Sequence, residues 1–119
     1  MATRQLEIET SVATIDWASE SLGLNYSEVS RVLAVDRRTL NRWRSGQSAP
    51  SLSHRERLEK LQVLRYLLEN VFEDNSAALK WLHSAVPMLR GRSPIMVLLE
   101  GRVDEIVEVL AGIESGAFV

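Results

Sequence analysis

The residues best suited to chemistry lie between positions 26 and 46, in the segment YSEVSRVLAVDRRTLNRWRSG. Two short helical patterns are separated there by a tight turn, and the second pattern is rich in arginine and asparagine. Leu40 and Trp43 are spaced three residues apart, so they share one helix face and leave the polar side chains on the other. In the DNA major groove, arginine bonds guanine bidentately and asparagine bonds adenine. The segment therefore predicts a helix-turn-helix whose second helix reads DNA.

The polar side chains of this second helix suit two kinds of contact. Arginine and asparagine reach base edges, whereas hydroxyl groups and the start of the helix suit phosphates. Asp36 fits an N-cap better than a base reader, because DNA phosphates would repel its carboxylate. The predicted DNA-binding residues are Ser27, Arg37, Arg38, Thr39, Asn41, Arg42, Arg44 and Ser45. The alternative is a basic helix that binds RNA or an acidic partner, or that is simply solvated.

The turn between the two helices departs from the usual pattern at Ala34. A helix-turn-helix commonly has glycine there, because a left-handed backbone costs a residue with a β-carbon roughly 1 kcal/mol. Ala34 therefore predicts either a turn that is built differently or one that is strained. Ser30 supplies the small residue expected in the preceding helix, where the two helices approach closely.

Helical periodicity and capping signals continue along almost the whole chain. The first predicted helix runs from a cap at Thr10 or Ser11 to Leu22 and is ended by Gly23, and the second begins at the capping box Asn25 and Glu28. The third runs from Asp36 to Gly46, the fourth begins at the capping box Ser53 and Glu56, and the fifth begins at the cap Asn75. The sixth runs from Ser93-Pro94 to Gly101, and the seventh from Val103 to Ile113. The predicted inward residues are Val12, Ile15, Ala18, Leu22, Val29, Val32, Leu33, Leu58, Leu61, Leu64, Leu68, Val71, Val103, Ile106, Val107 and Leu110, with Val63, Leu67 and Phe72 widening the apolar face of the long fourth helix. That helix is expected either to lie between two layers or to form a dimer seam.

The length of 119 residues suits one compact domain, or two small helical units that share a core. We predict an all-α fold with a helix-turn-helix bundle at 1–52, a long connecting helix at 53–74, and a small helical domain with a terminal tail at 75–119. The apolar fraction of 45% is enough for a buried core.

Composition argues against several functional classes. The chain has no apolar run of the roughly 18 to 20 residues that span a bilayer, and its first ten residues have no secretory apolar segment. Cysteine is absent, and His54 and His83 lie far apart without an acidic neighbour at ligand spacing. No catalytic set or phosphate-binding glycine loop can be assembled. We expect a cytoplasmic protein that has no cofactor or metal and is not an enzyme.

The net charge of −2 conceals an uneven distribution. Between Arg31 and Arg57, seven arginines stand against two acidic residues, whereas the segment from Glu100 to Val119 holds five acidic residues and a single arginine. A basic and an acidic segment on one small protein indicate two different partners. Two solvated helix faces that happen to differ in sign are the simpler alternative.

An ordered set of residues in the second half carries a family resemblance. It comprises Trp81-Leu82, Pro87, Leu89, Gly91, Ser93-Pro94, Leu98-Leu99, Gly101, Leu110 and Gly116. The set resembles the toxin-binding domain of the Xre/MbcA/ParS antitoxins, and the helix-turn-helix resembles the Xre-type half of the same family. The resemblance covers roughly residues 10 to 116, and the segment LRGRSP is its most specific part. Two features depart from the family pattern: Ala85 replaces a usual proline, and the acidic loop is reduced to Glu100-Gly101-Arg102.

The resemblance implies an antitoxin of a type II toxin–antitoxin system. In that family the partner toxin has a RES domain that consumes NAD, the C-terminal domain covers the toxin's active-site entrance, and the helix-turn-helix represses the operon by binding operator DNA. The toxin-binding residues carried over or chosen on this basis are Trp81, Pro87, Arg90, Gly91, Arg92, Pro94, Gly101, Glu114, Phe118 and Val119, of which the last three belong to a tail expected to reach the toxin's NAD cleft. A homodimer and a hetero-oligomer with the toxin are expected.

Other functions remain compatible with the same residues. One is a stand-alone transcriptional regulator whose C-terminal helices dimerise or sense a ligand. Another is a protein-interaction adaptor with a degenerate helix-turn-helix, which Ala34 favours. Several members of the toxin-binding set also have plain structural explanations: Trp81 suits a core, Gly91 and Gly101 suit helix ends, and Pro94 suits a helix start.

Overall fold

The described part of the chain is entirely helical in a computed structural model, which describes the backbone of residues 2–116 and the side chains of residues 8–116. The helices are α1 (Ala2–Ser21), α2 (Tyr26–Leu33), α3 (Arg37–Arg44), α4 (Leu52–Val71), α5 (Asn75–Leu82), a 3-10 turn (Pro87–Leu89), α6 (Pro94–Leu99) and α7 (Val103–Ser115). The all-α prediction is confirmed. The chain divides into two compact units, Met1–Glu59 and Lys60–Val119, and the boundary falls within α4.

The first unit is built on the mutual packing of α1, α2 and α3. The predicted inward residues of α2 are all buried, and so are Leu40 and Trp43 on α3. The ring of Trp43 also meets His54 edge-on, with 5.1 Å between ring centroids. Burying one large apolar side chain stabilises a fold by about 1.5–3 kcal/mol, so these contacts hold the eight-residue α3 in place.

The first helix begins well before its predicted cap. Thr10 and Ser11 lie inside α1, where the Thr14 hydroxyl donates to the Thr10 carbonyl at 2.9 Å and Ser11 is buried. Good helix formers such as Gln5, Leu6 and Glu7 precede them, and propensity therefore extends the helix past the cap signal. The buried face is correspondingly rotated: Val12 is only half-buried, whereas Trp17 is buried.

The capping predictions for α2 and α3 are confirmed. Asn25 and Glu28 form a reciprocal capping box, with hydrogen bonds of 2.9 and 3.0 Å. Asp36 caps α3 by accepting the Thr39 backbone N–H at 2.7 Å. The turn between the helices is strained at Ala34, whose φ and ψ are 54° and 48°. The backbone N–H of Ala34 donates to Arg31, and that of Val35 donates to Ser30, a pattern that ends helices in a Schellman motif.

Helix α4 begins earlier than its predicted capping box. The Ser51 carbonyl accepts the first helical hydrogen bond, from the Arg55 N–H, so Ser53 lies inside the helix. The Ser51 hydroxyl lies 2.8 Å from His54 Nδ1, which gives this end its side-chain contact. The apolar face is also narrower than predicted, because Val63 is 46% exposed, while the predicted Val71 and Phe72 are half-buried.

The second unit packs α5 on α6, α6 on α7, and the 3-10 turn on α7. Asp74, one residue before the predicted Asn75, caps α5 by accepting the Ala77 N–H at 2.8 Å. Ser93 and Pro94 start α6 as predicted. On α7 the buried set includes Val109, whereas the predicted Val107 is half-buried. The 3-10 turn was not predicted, since a three-residue element has no periodicity to detect.

We expect Ala34→Gly to raise the free energy of unfolding by about 1 kcal/mol, because glycine adopts the left-handed backbone without a β-carbon penalty. Gly23→Ala is the matched control. Gly23 has a φ of +71° and open space where a β-carbon would point, so the substitution should lower stability by a similar amount through backbone strain alone. Chemical denaturation measures both changes, and destabilisation by Ala34→Gly would contradict the strained turn.

Candidate functional site

The exposed face of α3 follows directly from its buried face. Because Leu40 and Trp43 turn inward, the polar side chains between and beside them face solvent. An open depression on this face is lined by Asp36, Arg38, Thr39, Asn41, Arg42, Ser45 and Gln47. Five of these residues belong to the predicted DNA-binding set. Gln47 lines the same depression but was not predicted, because it follows the helix; its amide is chemically equivalent to that of Asn41.

Three residues of the predicted DNA-binding set lie outside this depression. Ser27 and Arg37 are exposed at the starts of α2 and α3. Arg44 is engaged within the protein: its Nη2 lies 3.1 Å from Asp16 Oδ1, and its guanidinium lies over the ring of Tyr26, 5.2 Å from the centroid. These contacts join α3 to α1 and α2. Arg44 therefore has a structural role, which the sequence could not indicate because Asp16 is 28 residues away.

Asp36 links the capping of α3 to its electrostatics. The hydrogen bond from the Thr39 backbone N–H, aided by the Thr39 side chain and the charge of Arg38, holds the pKa of the Asp36 carboxyl below its ordinary value. The carboxylate thus stabilises the helix N-terminus, where negative charge is favoured. Its position supports the prediction that Asp36 acts as a cap.

The segment from Val86 to Ser93 contains four of the ten predicted toxin-binding residues: Pro87, Arg90, Gly91 and Arg92. Val86 and Leu89 are buried, at 3% and 2% exposure, and anchor the 3-10 turn. The Gly91 N–H donates to the Val86 carbonyl at 2.9 Å, and the Val86 N–H donates to the Arg92 carbonyl at 3.1 Å. Two backbone hydrogen bonds thus close a loop whose tip carries Arg90.

Arg92 turns toward the protein rather than away from it. Its Nη2 donates to Glu105 Oε1 at 2.9 Å, its Nε donates to the Leu89 carbonyl at 2.8 Å, and its Nη1 lies 3.7 Å from Glu100 Oε2. The hydrogen bond from Arg92, with the charges of Arg92 and Arg102, holds the pKa of Glu105 below its ordinary value. Arg92 therefore ties the loop to α7.

The other predicted residues of this domain have identifiable local roles. Trp81 is half-buried and packs against Phe72, with 5.6 Å between ring centroids. Gly101 ends α6 with a φ of +80°, and buried Pro94 begins that helix. Pro87 starts the 3-10 turn. Glu114 is exposed on the last turn of α7, while Phe118 and Val119 lie outside the described residues.

No three histidine, aspartate or glutamate side chains among the described residues come together in a group that would hold a metal ion. Within the same range, no helix combines the length and apolar character needed to cross a bilayer.

Residues 67–116 match the antitoxin Xre/MbcA/ParS C-terminal toxin-binding domain. The mycobacterial cidal antitoxin MbcA of Mycobacterium tuberculosis is 27% identical over 112 residues, spanning 94% of this chain and 98% of the relative. The chain is therefore similar to Xre/MbcA/ParS antitoxins, and its second unit carries the match to their toxin-binding domain. The probable mycobacterial cidal antitoxin Rv3188 of M. tuberculosis is 26% identical over 102 residues, which cover 86% of each chain.

A solved structure resembles this chain over most of its length. The crystal structure of the M. tuberculosis MbcT–MbcA toxin–antitoxin complex contains a chain that superposes with a TM-score of 0.63 and 28% sequence identity. The match covers 91% of this chain and 96% of the other, so it includes both compact units. The resemblance inferred from Trp81-Leu82 and LRGRSP is thereby confirmed.

Acidification should remove the contribution of Asp36 to stability. Because the pKa of Asp36 is lowered in the folded state, its contribution to stability is complete above the unfolded-state pKa of about 3.9 and is lost as the pH falls through the folded-state pKa. Asp36→Asn keeps an N-cap acceptor but has no charge. The melting temperature of this variant should therefore depend less on pH than that of the wild type below about pH 5. Asp36→Ala, which lacks the cap, should melt lower throughout. Identical pH profiles for wild type and Asp36→Asn would contradict the carboxylate's role.

Loss of the Arg92 side chain should destabilise the second unit more than loss of Arg102. Arg92 is 28% exposed and Arg102 is 61% exposed, and solvent screens the latter's ion pairs with Glu100 and Glu105. We expect Arg92→Met to lower the free energy of unfolding by about 1–2 kcal/mol, and Arg102→Met by less than about 1 kcal/mol. Urea denaturation of the two variants makes the comparison. Equal losses would show that Arg92 is an ordinary surface charge.

Proposed function

We propose that this chain is the antitoxin of a type II toxin–antitoxin pair, which binds and inhibits a RES-domain, NAD-consuming toxin. The observation that carries the proposal is the likeness of nearly the whole chain to MbcA, a protein crystallised in complex with the toxin MbcT. Inhibition follows from covering the toxin's active-site entrance with residues of the matched segment 67–116. The antitoxin itself carries out no catalysis.

We further propose that the first unit has a second activity: its α2–α3 pair binds operator DNA and represses the antitoxin's own operon. Its support is chemical: α3 has a buried apolar face, and its opposite face carries two arginines, an asparagine and hydroxyl groups around one open depression. Arg38, Asn41 and Arg42 are the base readers, with Gln47 beside them. Ser27, Arg37 and Thr39 contact phosphates near the helix starts, where backbone N–H groups add donors.

A homodimer would complete the operator-binding function. A single helix of eight residues reads few base pairs, and two-fold related helices match palindromic half-sites about one DNA turn apart. The same copies would each bring a toxin-binding domain, so the inhibited complex is a hetero-oligomer of antitoxin and toxin in the cytoplasm.

Replacing Arg38, Asn41 and Arg42 with alanine should abolish operator binding and leave toxin neutralisation intact, because these exposed side chains belong to the first unit, whereas the matched segment 67–116 belongs to the second. Mobility shift on the upstream region and growth rescue from the toxin measure the two activities. The double variant Arg65→Ala, Lys80→Ala is a charge-matched control on the second unit and should still bind DNA. Equal loss of both activities in the triple variant would contradict the division of labour.

Binding of the wild-type protein to operator DNA should also weaken steeply with added salt, because phosphate contacts release counterions.

Neutralisation should require the product of the adjacent reading frame and the end of this chain. Co-expression with that product, followed by pull-down and a cellular NAD assay, should show a stable complex and preserved NAD. Removing residues 114–119 should let NAD fall while operator binding persists, since the tail is proposed to enter the toxin's NAD cleft. Full rescue by the truncated protein would refute the tail's role. A chain that binds its operator but no neighbouring product would instead be a stand-alone regulator.

A further inference from the structure

The turn from Val86 to Gly91 in the second unit combines buried anchors with exposed side chains. Val86 and Leu89 are buried, whereas Pro87, Met88, Arg90 and Gly91 face solvent. Met88 is 43% exposed and is one of several large apolar side chains that face solvent among the described residues. The turn therefore holds its backbone against the protein and presents a thioether and a guanidinium outward.

The backbone at Arg90 is strained. Its φ and ψ are 60° and 35°, and Gly91 follows with a φ of +77°, so two consecutive residues are left-handed. Residues with a β-carbon seldom adopt this conformation, and glycine would adopt it freely. Hydrogen bonds between Val86 and Gly91 and between Val86 and Arg92 impose it. Strained backbone conformations of this kind cluster at functional sites, where the contribution of the side chain to function outweighs the loss of stability.

The two arginines that flank Gly91 differ sharply in their surroundings. Arg92 donates to Glu105 and to the Leu89 carbonyl and lies near Glu100. Within residues 8–116, by contrast, the Arg90 side chain has no hydrogen bond or ion pair. Arg92 thus holds the turn in place, while Arg90 is left available at its tip.

The charge of the second unit indicates what Arg90 would meet. Residues 60–119 contain eight acidic and six basic residues, so a polyanion such as DNA or RNA is repelled overall. A single carboxylate on a protein surface pairs with one guanidinium through two parallel hydrogen bonds. Arginine and methionine are also both enriched in protein interfaces.

We infer that Arg90, with Met88 two residues before it on the same turn, is the anchor through which this antitoxin contacts an acidic side chain on the surface of its toxin. Arg92 is the positioning residue that holds the anchor's turn. The inference rests on the proposed toxin binding. It adds that Arg90 determines the affinity and that the group Arg90 contacts on the toxin is a carboxylate. The strained backbone at Arg90 lowers the stability of the free antitoxin, and the side chain makes its contact only in the complex.

The test uses the full chain and the toxin encoded by the adjacent reading frame. It measures the melting temperature of the free antitoxin and the Kd of its complex with the toxin. Arg90→Gly should raise the melting temperature of the free antitoxin by a few degrees, because the strain is relieved, while the Kd for the toxin rises about tenfold or more. Arg90→Asn, which also tolerates a left-handed backbone, should behave alike. Arg90→Glu keeps a β-carbon and reverses the charge, so it should bind more weakly than Arg90→Gly. Lys80→Ala removes an exposed cation from α5 and should leave both measurements near wild type.

The outcomes separate this inference from the function on which it rests. Failure of the wild-type chain to bind the toxin overturns the proposed function and the inference with it. If Arg90→Gly and Arg90→Asn bind the toxin as tightly as the wild type, the inference alone is overturned, and Arg90 is merely a strained residue that the fold tolerates. If Arg90→Gly and Arg90→Glu bind equally well, the group that Arg90 contacts on the toxin is not acidic. Increased stability with weakened binding supports the anchor, because a merely structural residue cannot move the two in opposite directions.

Discussion

Short helices that must reverse direction within a few residues are the constraint on which this protein depends. Helices α2, α3 and α5 have eight residues each and α6 has six, well below the roughly 12–15 residues at which an isolated helix becomes even marginally stable. Each forms only because its apolar face packs on a neighbour. Left-handed residues make such packing possible, because they end one helix and redirect the chain toward the next.

Among residues 2–116, glycine fills most of the left-handed positions, and the two exceptions are Ala34 and Arg90, which lie near the two candidate binding surfaces. Gly23, Gly46, Gly101 and Gly116 follow α1, α3, α6 and α7. Ala34 stands between α2 and α3, where an added side chain contributes little beyond strain. Arg90 occupies the corresponding conformation at an exposed tip, where its side chain is long, charged and available. The same backbone requirement thus has different consequences at the two sites.

The buried faces also decide where charge is displayed. On α3, Leu40 and Trp43 turn inward, so Arg38 and Arg42 face solvent on the opposite side. On α7, burial of Ile106 and Leu110 leaves the acidic residues outside. One short chain therefore carries a basic surface suited to nucleic acid and, in its other unit, a mixed and mainly acidic surface suited to a protein. The proposed function fits this division, since it assigns the chain a toxin and an operator as partners.

The sequence alone determined the features that depend on neighbouring residues: the all-α class, the capping box of Asn25 and Glu28, the Asp36 cap, the Ser93-Pro94 start, and the family resemblance in LRGRSP. It failed where two local signals competed, as when Thr10 and Ser11 were taken for caps inside a longer helix, or when Asp74 capped α5 in place of Asn75. Tertiary structure alone decided which arginines are available. Arg44 and Arg92 find carboxylates on other helices, at Asp16 and Glu105, whereas Arg90 finds none among the described residues. An ion pair depends on distance in space, and spacing along the chain fixes that distance only within one helix.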